Sequence, residues 1–411
     1  MKGIRLVDNF TPEGAPADKG EGRAVTIDAG VSLRELYTAI GAQNRTVVAG
    51  AANTVGPAGG YIQGGGHSFL GPWKGLASDN ALEFTVVTAD LWTTYTACVF
   101  KGKLVTANEY QNGDLYWALR GGGGGTFGIV VNVTLHTFDE MPVIFTSFNI
   151  TTSYGDPNYC AALAHFHAAI PGLNDANGAG YYYITPYFPL DGNVSASVLT
   201  GYMIFPNQTD PARVQGLLKP LFLKLNSLAG VKIEHTFIPF PSIRALIGNI
   251  FLRDNDDATG KIRLLGSRLI SRNLLSSIQG TSRLVSTLRH FEFYPGRHPL
   301  GRTPGVAEDG VHMFIERTWD TTATLSEQEA VRRNLTNVEV PLLRSIEGSQ
   351  AMGAYLNEAN AYETDFQASF WGDNYPRLYK IRQKWDPTGL FIVRRGVGSE
   401  DWDEEGFCRC T

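Results

Sequence analysis

At 411 residues, 43% hydrophobic and 18% charged, the chain exceeds an ordinary single core and is too apolar to stay disordered. Two domains, or one domain with a large insertion, are expected. A net charge of −5 and a pI near 5.9 leave no basic face for nucleic acid or anionic lipid, and no apolar run is long enough for a helical membrane span. The 46 glycines fall in a few clusters, which points to backbone that turns tightly or approaches a ligand closely.

Residues 1–10 (MKGIRLVDNF) alternate charges and lack the apolar stretch of a signal peptide. Asn-x-Ser/Thr triplets at Asn44, Asn132, Asn149, Asn193, Asn207 and Asn334 point the other way. The expectation is a secreted-type glycoprotein whose leader is lost from this version. Residues 24–29 (AVTIDA) read as a strand. Residues 32–39 read as a helix, with Ser32 and Glu35 spaced as a capping box. Residues 45–50 (RTVVAG) read as another strand, and 53–66 (NTVGPAGGYIQGGG) as a glycine-rich loop. Residues 82–88 and 103–106 read as a hairpin interrupted by 91–101 (LWTTYTACVFK), which has the look of an insertion. A short helix over 114–120 leads through Gly121–Gly125 into a strand over 127–137.

From about residue 141 the character changes. Strands over 144–150, 181–188 and 194–204 alternate with amphipathic helices over 212–228 and 326–343. This predicts an α+β substrate domain, its antiparallel sheet covered on one face by helices. The last segment returns to tight motifs, with a helix over 375–385 closed by the turn Asp386-Pro387-Thr388-Gly389. The expected division is 1–140, 141–345 and 346–411.

Two glycine clusters dominate the chemistry, because glycine lets backbone N–H groups close around an anion such as a pyrophosphate. Neither obeys the strand–GxGxxG–helix order of a Rossmann site: Gly64-Gly65-Gly66-His67 lacks a following helix, and Gly121–Gly125 leads into a strand. The cysteines Cys98, Cys160, Cys408 and Cys410 match no zinc pattern; Cys408 and Cys410 are too close to bridge each other easily, and pairing with Cys160 or with a cysteine outside this sequence stays open. His165 and His167 read as surface or packing residues of a helix rather than metal ligands.

The ordered runs TVGPAGGYIQGGGHS (54–68), GLASDN (75–80), RGGGGGTFGIV (120–130), YLNEAN (355–360), FWGDNYPRL (370–378), WDPTGLF (385–391) and GVGSEDW (396–402) resemble berberine-bridge-enzyme-like FAD oxidases. These belong to the vanillyl-alcohol-oxidase and p-cresol-methylhydroxylase (PCMH) fold superfamily, and the likeness is to its fungal branch, which includes isoamyl-alcohol-oxidase-type proteins. The resemblance implies an incomplete PCMH-type FAD-binding domain, FAD as cofactor, and a preceding segment with a phosphate turn and a flavin-linking histidine that is not in this sequence. Doubly linked relatives carry a cysteine before the Thr-Val-Gly motif; Ala52-Asn53 stands here, so no cysteinyl bond is expected. The resemblance lays the backbone of Thr54, Val55, Gly56, Gly59, Gly60, Gly64, Gly65 and Gly66 along the flavin and its phosphates. It gives Asp79 and Asn80 the setting of that loop, and Gly125, Phe127, Gly128 and Val130 the adenosine side. Asn357 falls near the ribityl chain or flavin ring.

Many relatives read Tyr-x-Asn-Tyr where this chain reads Tyr355-Leu356-Asn357-Glu358. A carboxylate there can take a substrate hydroxyl proton if burial raises its pKa. His67 falls where some relatives place a second active-site tyrosine, and an imidazole can act as base. Tyr61 and Tyr355 read as core aromatics or substrate-facing ones. The expected activity is oxidation of an alcohol or related small secondary metabolite, with O2 as acceptor and H2O2 as product. A flavin dehydrogenase or oxidative cyclase, and a truncated chain unable to hold FAD, are the alternatives. No nucleic-acid, membrane or protein partner is expected.

Overall fold

The computed structural model describes residues 1–89, 91–94, 97–100, 102–190, 194–251, 262–291, 299–303, 309–348, 352–404 and 406–410; within these, the side chains of 91–100 and 299–309 are not described. Two antiparallel sheets organise the chain. The first has five strands in the order Ile4–Val7, Ala24–Asp28, Ile129–His136, Ala81–Thr88, Lys103–Ala107. The second has seven, in the order Lys232–Phe240, Val143–Ser153, Ser195–Pro206, Ala179–Pro189, Pro299–Thr303, Asp309–Arg317, Leu264–Ser271. The α+β class expected from the sequence is the one found.

The first sheet turns Val25, Ile27, Phe84, Val86, Val133 and Leu135 inward. They meet the Leu33–Gly41 helix, whose N-cap Ser32 forms the reciprocal capping box with Glu35. The C-terminal helix Tyr375–Trp385 returns to this core through Leu378 and Ile381. The second sheet builds a separate core. Val143–Ser153 turns Ile144, Phe148 and Ile150 toward a helical layer made by Asn158–Asp175, Pro211–Asn226 and Ile278–Leu288. Asp210 caps the second of these helices by accepting from Ala212 N–H at 2.9 Å, with Pro211 at its first position.

The strand expected over 45–50 shrinks to Arg45–Thr46, paired with Phe138–Asp139. Val47, Val48 and Ala49 are fully buried in the core outside any strand, so their apolar run reflects packing rather than sheet pairing. The helix expected over 326–343 is found as a continuous run from Leu325 to Arg344, widened by a π turn over Leu335–Glu339 whose flanking residues keep helical backbone. Thr88 pairs with Lys103, and beyond that pair Leu91–Thr94 and Ala97–Phe100 form a ribbon of their own; the rest of the 91–101 segment lies outside the described residues. Cys160, Cys408 and Cys410 are free, the Cys98 side chain is not described, and Asn193 is outside the described residues.

Strand alternation explains how the second sheet serves a site as well as a core. Side chains alternate between faces. In Ala179–Pro189, Tyr182 and Ile184 face the helices, while Tyr181 and Tyr183 line a cavity on the opposite face. In Asp309–Arg317, Val311, Met313 and Ile315 face the helices, so His312 and Phe314 point the other way.

Candidate active site

Two cavities adjoin and share Gly60 and Asn357 as walls. One, of about 510 Å³, is lined by Gly59, Gly60 and the Gly123–Gly125 run, faced by residues 393–396. The other, of about 440 Å³, is lined by aromatic rings and by His67 and Glu358.

The glycine loop is tighter than a flexible linker. Pro57–Tyr61 is a helix-like turn kinked at Gly59 (φ −89°, ψ −140°), so the stretch read as open loop is partly ordered into turns. Gly65 (φ 112°) and Gly66 (φ 78°) then reverse the chain in a region that L side chains avoid, which aims His67 into the second cavity. A Cβ on Gly64 would lie 2.4 Å from Asn357 Oδ1, and one on Gly66 2.8 Å from the Ala77 Cβ. The Gly64-Gly65-Gly66 run thus sits behind the cavity wall, not along it. It holds the residues that form the wall: Gly66 N–H donates to the Tyr355 hydroxyl at 3.2 Å. Asn357 Nδ2 donates to the same hydroxyl at 2.8 Å and to the Tyr61 carbonyl at 3.0 Å.

Glu358 and His67, 291 residues apart, meet in the second cavity, Oε1 to Nε2 at 3.2 Å. His67 Nδ1 lies 3.2 Å from the Tyr181 hydroxyl. With the carboxylate ionised, Nε2–H donates to Oε1, and the neutral ring accepts the Tyr181 O–H at Nδ1. The Tyr61 hydroxyl fixes the backbone beneath the ring by donating to the His67 carbonyl at 2.8 Å. His312 completes the cluster, with Nδ1 3.5 Å from Glu358 Oε2. The Glu358 side chain is 17% exposed, that of His67 10% and that of His312 0%. Burial pushes the Tyr355 phenol up to about 12, against the lowering effect of the Asn357 amide. Burial also drives the Tyr61 phenol well above its usual value. Both stay protonated at neutral pH, so a proton acceptor in this cavity is Glu358 or His67.

Several residues named from the sequence fall elsewhere. Gly59, Gly60, Gly125, Gly128 and Val130 line the glycine-walled cavity, and Val55 the aromatic one. Phe127 does not reach the cavity: it is 0% exposed, its ring under Gly122 in the first core, because the strand it leads into must close that core. Thr54 is exposed, and Thr54 and Gly56 line neither cavity. Asp79 and Asn80 stand outside both but shape the loop. Asp79 accepts from Leu76 N–H at 2.8 Å, and Asn80 donates to the Lys74 and Leu76 carbonyls at 2.9 and 2.8 Å. His312, Tyr181 and Tyr183 were missed. For His312 the signal was a lone polar ring at an alternate position of an apolar strand. His167 packs: its ring bridges the Leu163 carbonyl and the Tyr182 hydroxyl.

The glycine-walled cavity fits a dinucleotide. A Cβ on Gly124 would stand 2.8 Å from the Gly60 Cα, so the two glycine runs approach as only glycine allows. The chain therefore carries a cofactor cradle opening onto a cavity with a part-buried carboxylate–imidazole pair, the plan of a flavin oxidoreductase.

Residues 354–398 match the family described as berberine and berberine like, and residues 6–90 an FAD binding domain. The chain is 44% identical over 427 aligned positions to an uncharacterised FAD-linked oxidoreductase of Arthroderma benhamiae, covering 100% of this chain and 70% of that relative. It is 35% identical to the flavin-dependent oxygenase ucdF of Aspergillus ustus, covering 100% of this chain and 74% of that protein. It is also 35% identical to the FAD-linked oxidoreductase notD of an Aspergillus species, covering 99% and 66%. The fold superposes on the VAO-type flavoprotein MtVAO615 of Myceliophthora thermophila with a TM-score of 0.82 at 28% identity, covering all of this chain and 73% of that one. The chain belongs to the berberine-bridge-enzyme-like family of FAD-linked oxidoreductases, and its cofactor is FAD.

Proposed function

We propose that this chain oxidises a hydroxyl-bearing carbon of a small organic molecule, with Glu358 as the proton acceptor, O2 as the final electron acceptor and H2O2 as the product. The observation that carries this reading is the Glu358–His67 contact inside the aromatic cavity, next to the glycine cradle. FAD, when bound, supplies the acceptor for the hydride that leaves the substrate carbon. The residues do the rest. Asn357 is fixed by two hydrogen bonds where the cavities meet, and so sets the boundary between cofactor and substrate. Glu358 takes the hydroxyl proton, His67 holds the carboxylate by donating to Oε1, and the Tyr181 O–H fixes the ring tautomer that makes this contact. The aromatic walls exclude water, which strengthens each of these contacts. The carboxylate at position 358 thus does the proton transfer, and Tyr61 and Tyr355 serve as fixed hydrogen-bond partners.

The test is a panel of primary and secondary alcohols, with peroxide release followed alongside oxygen uptake. One peroxide per turnover is expected, with a loss of about 10²- to 10⁴-fold in kcat in Glu358→Gln at unchanged flavin content. Turnover with an artificial electron acceptor but no peroxide would make the chain a dehydrogenase. A Glu358→Gln variant within a few-fold of wild type would remove the carboxylate from the chemistry.

A further inference from the structure

The glycine-walled cavity holds unspent hydrogen-bonding capacity, and it lies on three residues to which the sequence motifs assign no role. Gln63 and Thr126 are 4% and 1% exposed, yet Gln63 Oε1 and Thr126 Oγ1 are buried without a hydrogen-bond partner among the described residues. Arg395 Nε is in the same condition. All three residues line this one cavity. Buried polar atoms are almost always paired, because an unpaired one keeps its full desolvation cost. Three on one cavity wall mark a place where a ligand completes the bonding.

Arg395 has two further peculiarities. No ion pair or hydrogen bond joins it to a described residue, whereas its neighbour Arg394 pairs with Glu404 at 3.6 Å. Its backbone is left-handed (φ 55°), a conformation unfavourable for arginine that the surrounding turn must enforce. The turn is closed by Gly396 N–H donating to the Val393 carbonyl at 2.8 Å, and it packs on the glycine run, where a Cβ on Gly125 would lie 3.1 Å from Val393 Cγ2. Arg395 thus lines the glycine-walled cavity with its guanidinium carbon 5.6 Å from the Phe366 ring centre and with no ion pair to a described carboxylate.

We infer that Arg395 and Thr126 donate to the diphosphate of FAD, and that Gln63 Oε1 accepts from a hydroxyl of its sugar-alcohol portion. The set matches that chemistry: a guanidinium and a hydroxyl as donors to an anion, a carboxamide oxygen as acceptor from an O–H, beside backbone that leaves room for phosphate oxygens. The Gln63 amide end is already committed, Nε2 donating to the Gly59 carbonyl at 3.3 Å, so its oxygen faces the ligand. This inference concerns cofactor recognition and stands independently of which group accepts the substrate proton.

Calorimetric titration of the full chain with FAD and, separately, with riboflavin tests it, since riboflavin lacks the diphosphate. Arg395→Met is expected to weaken FAD by about 10- to 100-fold and riboflavin by less than about 3-fold, and to flatten the salt dependence of FAD binding. Arg395→Lys should recover part of the loss. Thr126→Val, an isosteric change less able to disturb the fold, should weaken FAD alone by about 3- to 10-fold. FAD affinity unchanged in both Arg395→Met and Thr126→Val would overturn the inference. So would an equal loss for FAD and riboflavin, which would make these residues structural.

Discussion

His167 should make the helix-covered second sheet acid-sensitive by an amount that can be worked out. Its ring is fully buried between the Asn158–Asp175 helix and the second sheet. Since the Leu163 carbonyl can only accept, Nδ1 carries the hydrogen (2.7 Å), and Nε2 accepts from the Tyr182 hydroxyl (2.8 Å). Protonation would bury a charge and break the second bond. Burial accordingly lowers the pKa from 6.5 to about 4, only partly offset by the Leu163 contact. The unfolded chain therefore binds a proton that the folded chain refuses between those two values. The stability tied to the neutral ring is complete above the unfolded value and is lost as pH falls toward the folded one, below which the loss levels off. At ~1.4 kcal/mol for each tenfold change in proton affinity, the full loss is about 3 kcal/mol, of which about 2 kcal/mol is gone by about pH 5. Urea unfolding of wild type and His167→Gln at about pH 7.5 and about pH 5 measures it. The wild type should lose about 2 kcal/mol more than the variant between the two conditions. Parallel losses would refute the reasoning, because the slope would then come from other groups.

Gly124→Ala should push the two glycine runs apart, since its Cβ would sit 2.8 Å from the Gly60 Cα; flavin content should fall about tenfold while the unfolding free energy drops by the modest cost of overpacking, about 1–3 kcal/mol. Equal flavin content would show that the close approach is not required for binding. Glu363→Gln leaves the fully buried Arg268 without its carboxylate at 3.0 Å, and also removes a charged partner of Arg344. A loss of about 3–5 kcal/mol is expected in denaturant unfolding. Because Leu269 N–H in the same strand donates to the Gly353 carbonyl at 2.8 Å, the segment carrying Asn357 and Glu358 should gain amide exchange before the rest of the core does.

Much of the local structure is legible in the chain itself. Ser32 and Glu35 announce a helix start, alternation marks the strands, and the Asp386–Gly389 turn ends the last helix where its residues require. The glycine clusters and the carboxylate at Glu358 stand out for the same reason: each is a departure from its immediate sequence context. Where local reading failed, burial overrode it. Val47 to Ala49 look like strand but are packing residues, and Phe127 looks like a ligand contact but closes the first core.

What the tertiary structure decided is which separated groups share a cavity. Glu358 meets His67 across 291 positions, and Tyr181 and His312 join them only because strand alternation turns their side chains away from the helical layer. Arg395 gains its meaning from the glycine wall it faces, not from its neighbours in the chain. Periodicity and capping are set over a few residues and are written in the sequence. A hydrogen bond between distant side chains depends on sheet order and domain packing, which sum contributions from the whole chain and leave no local mark.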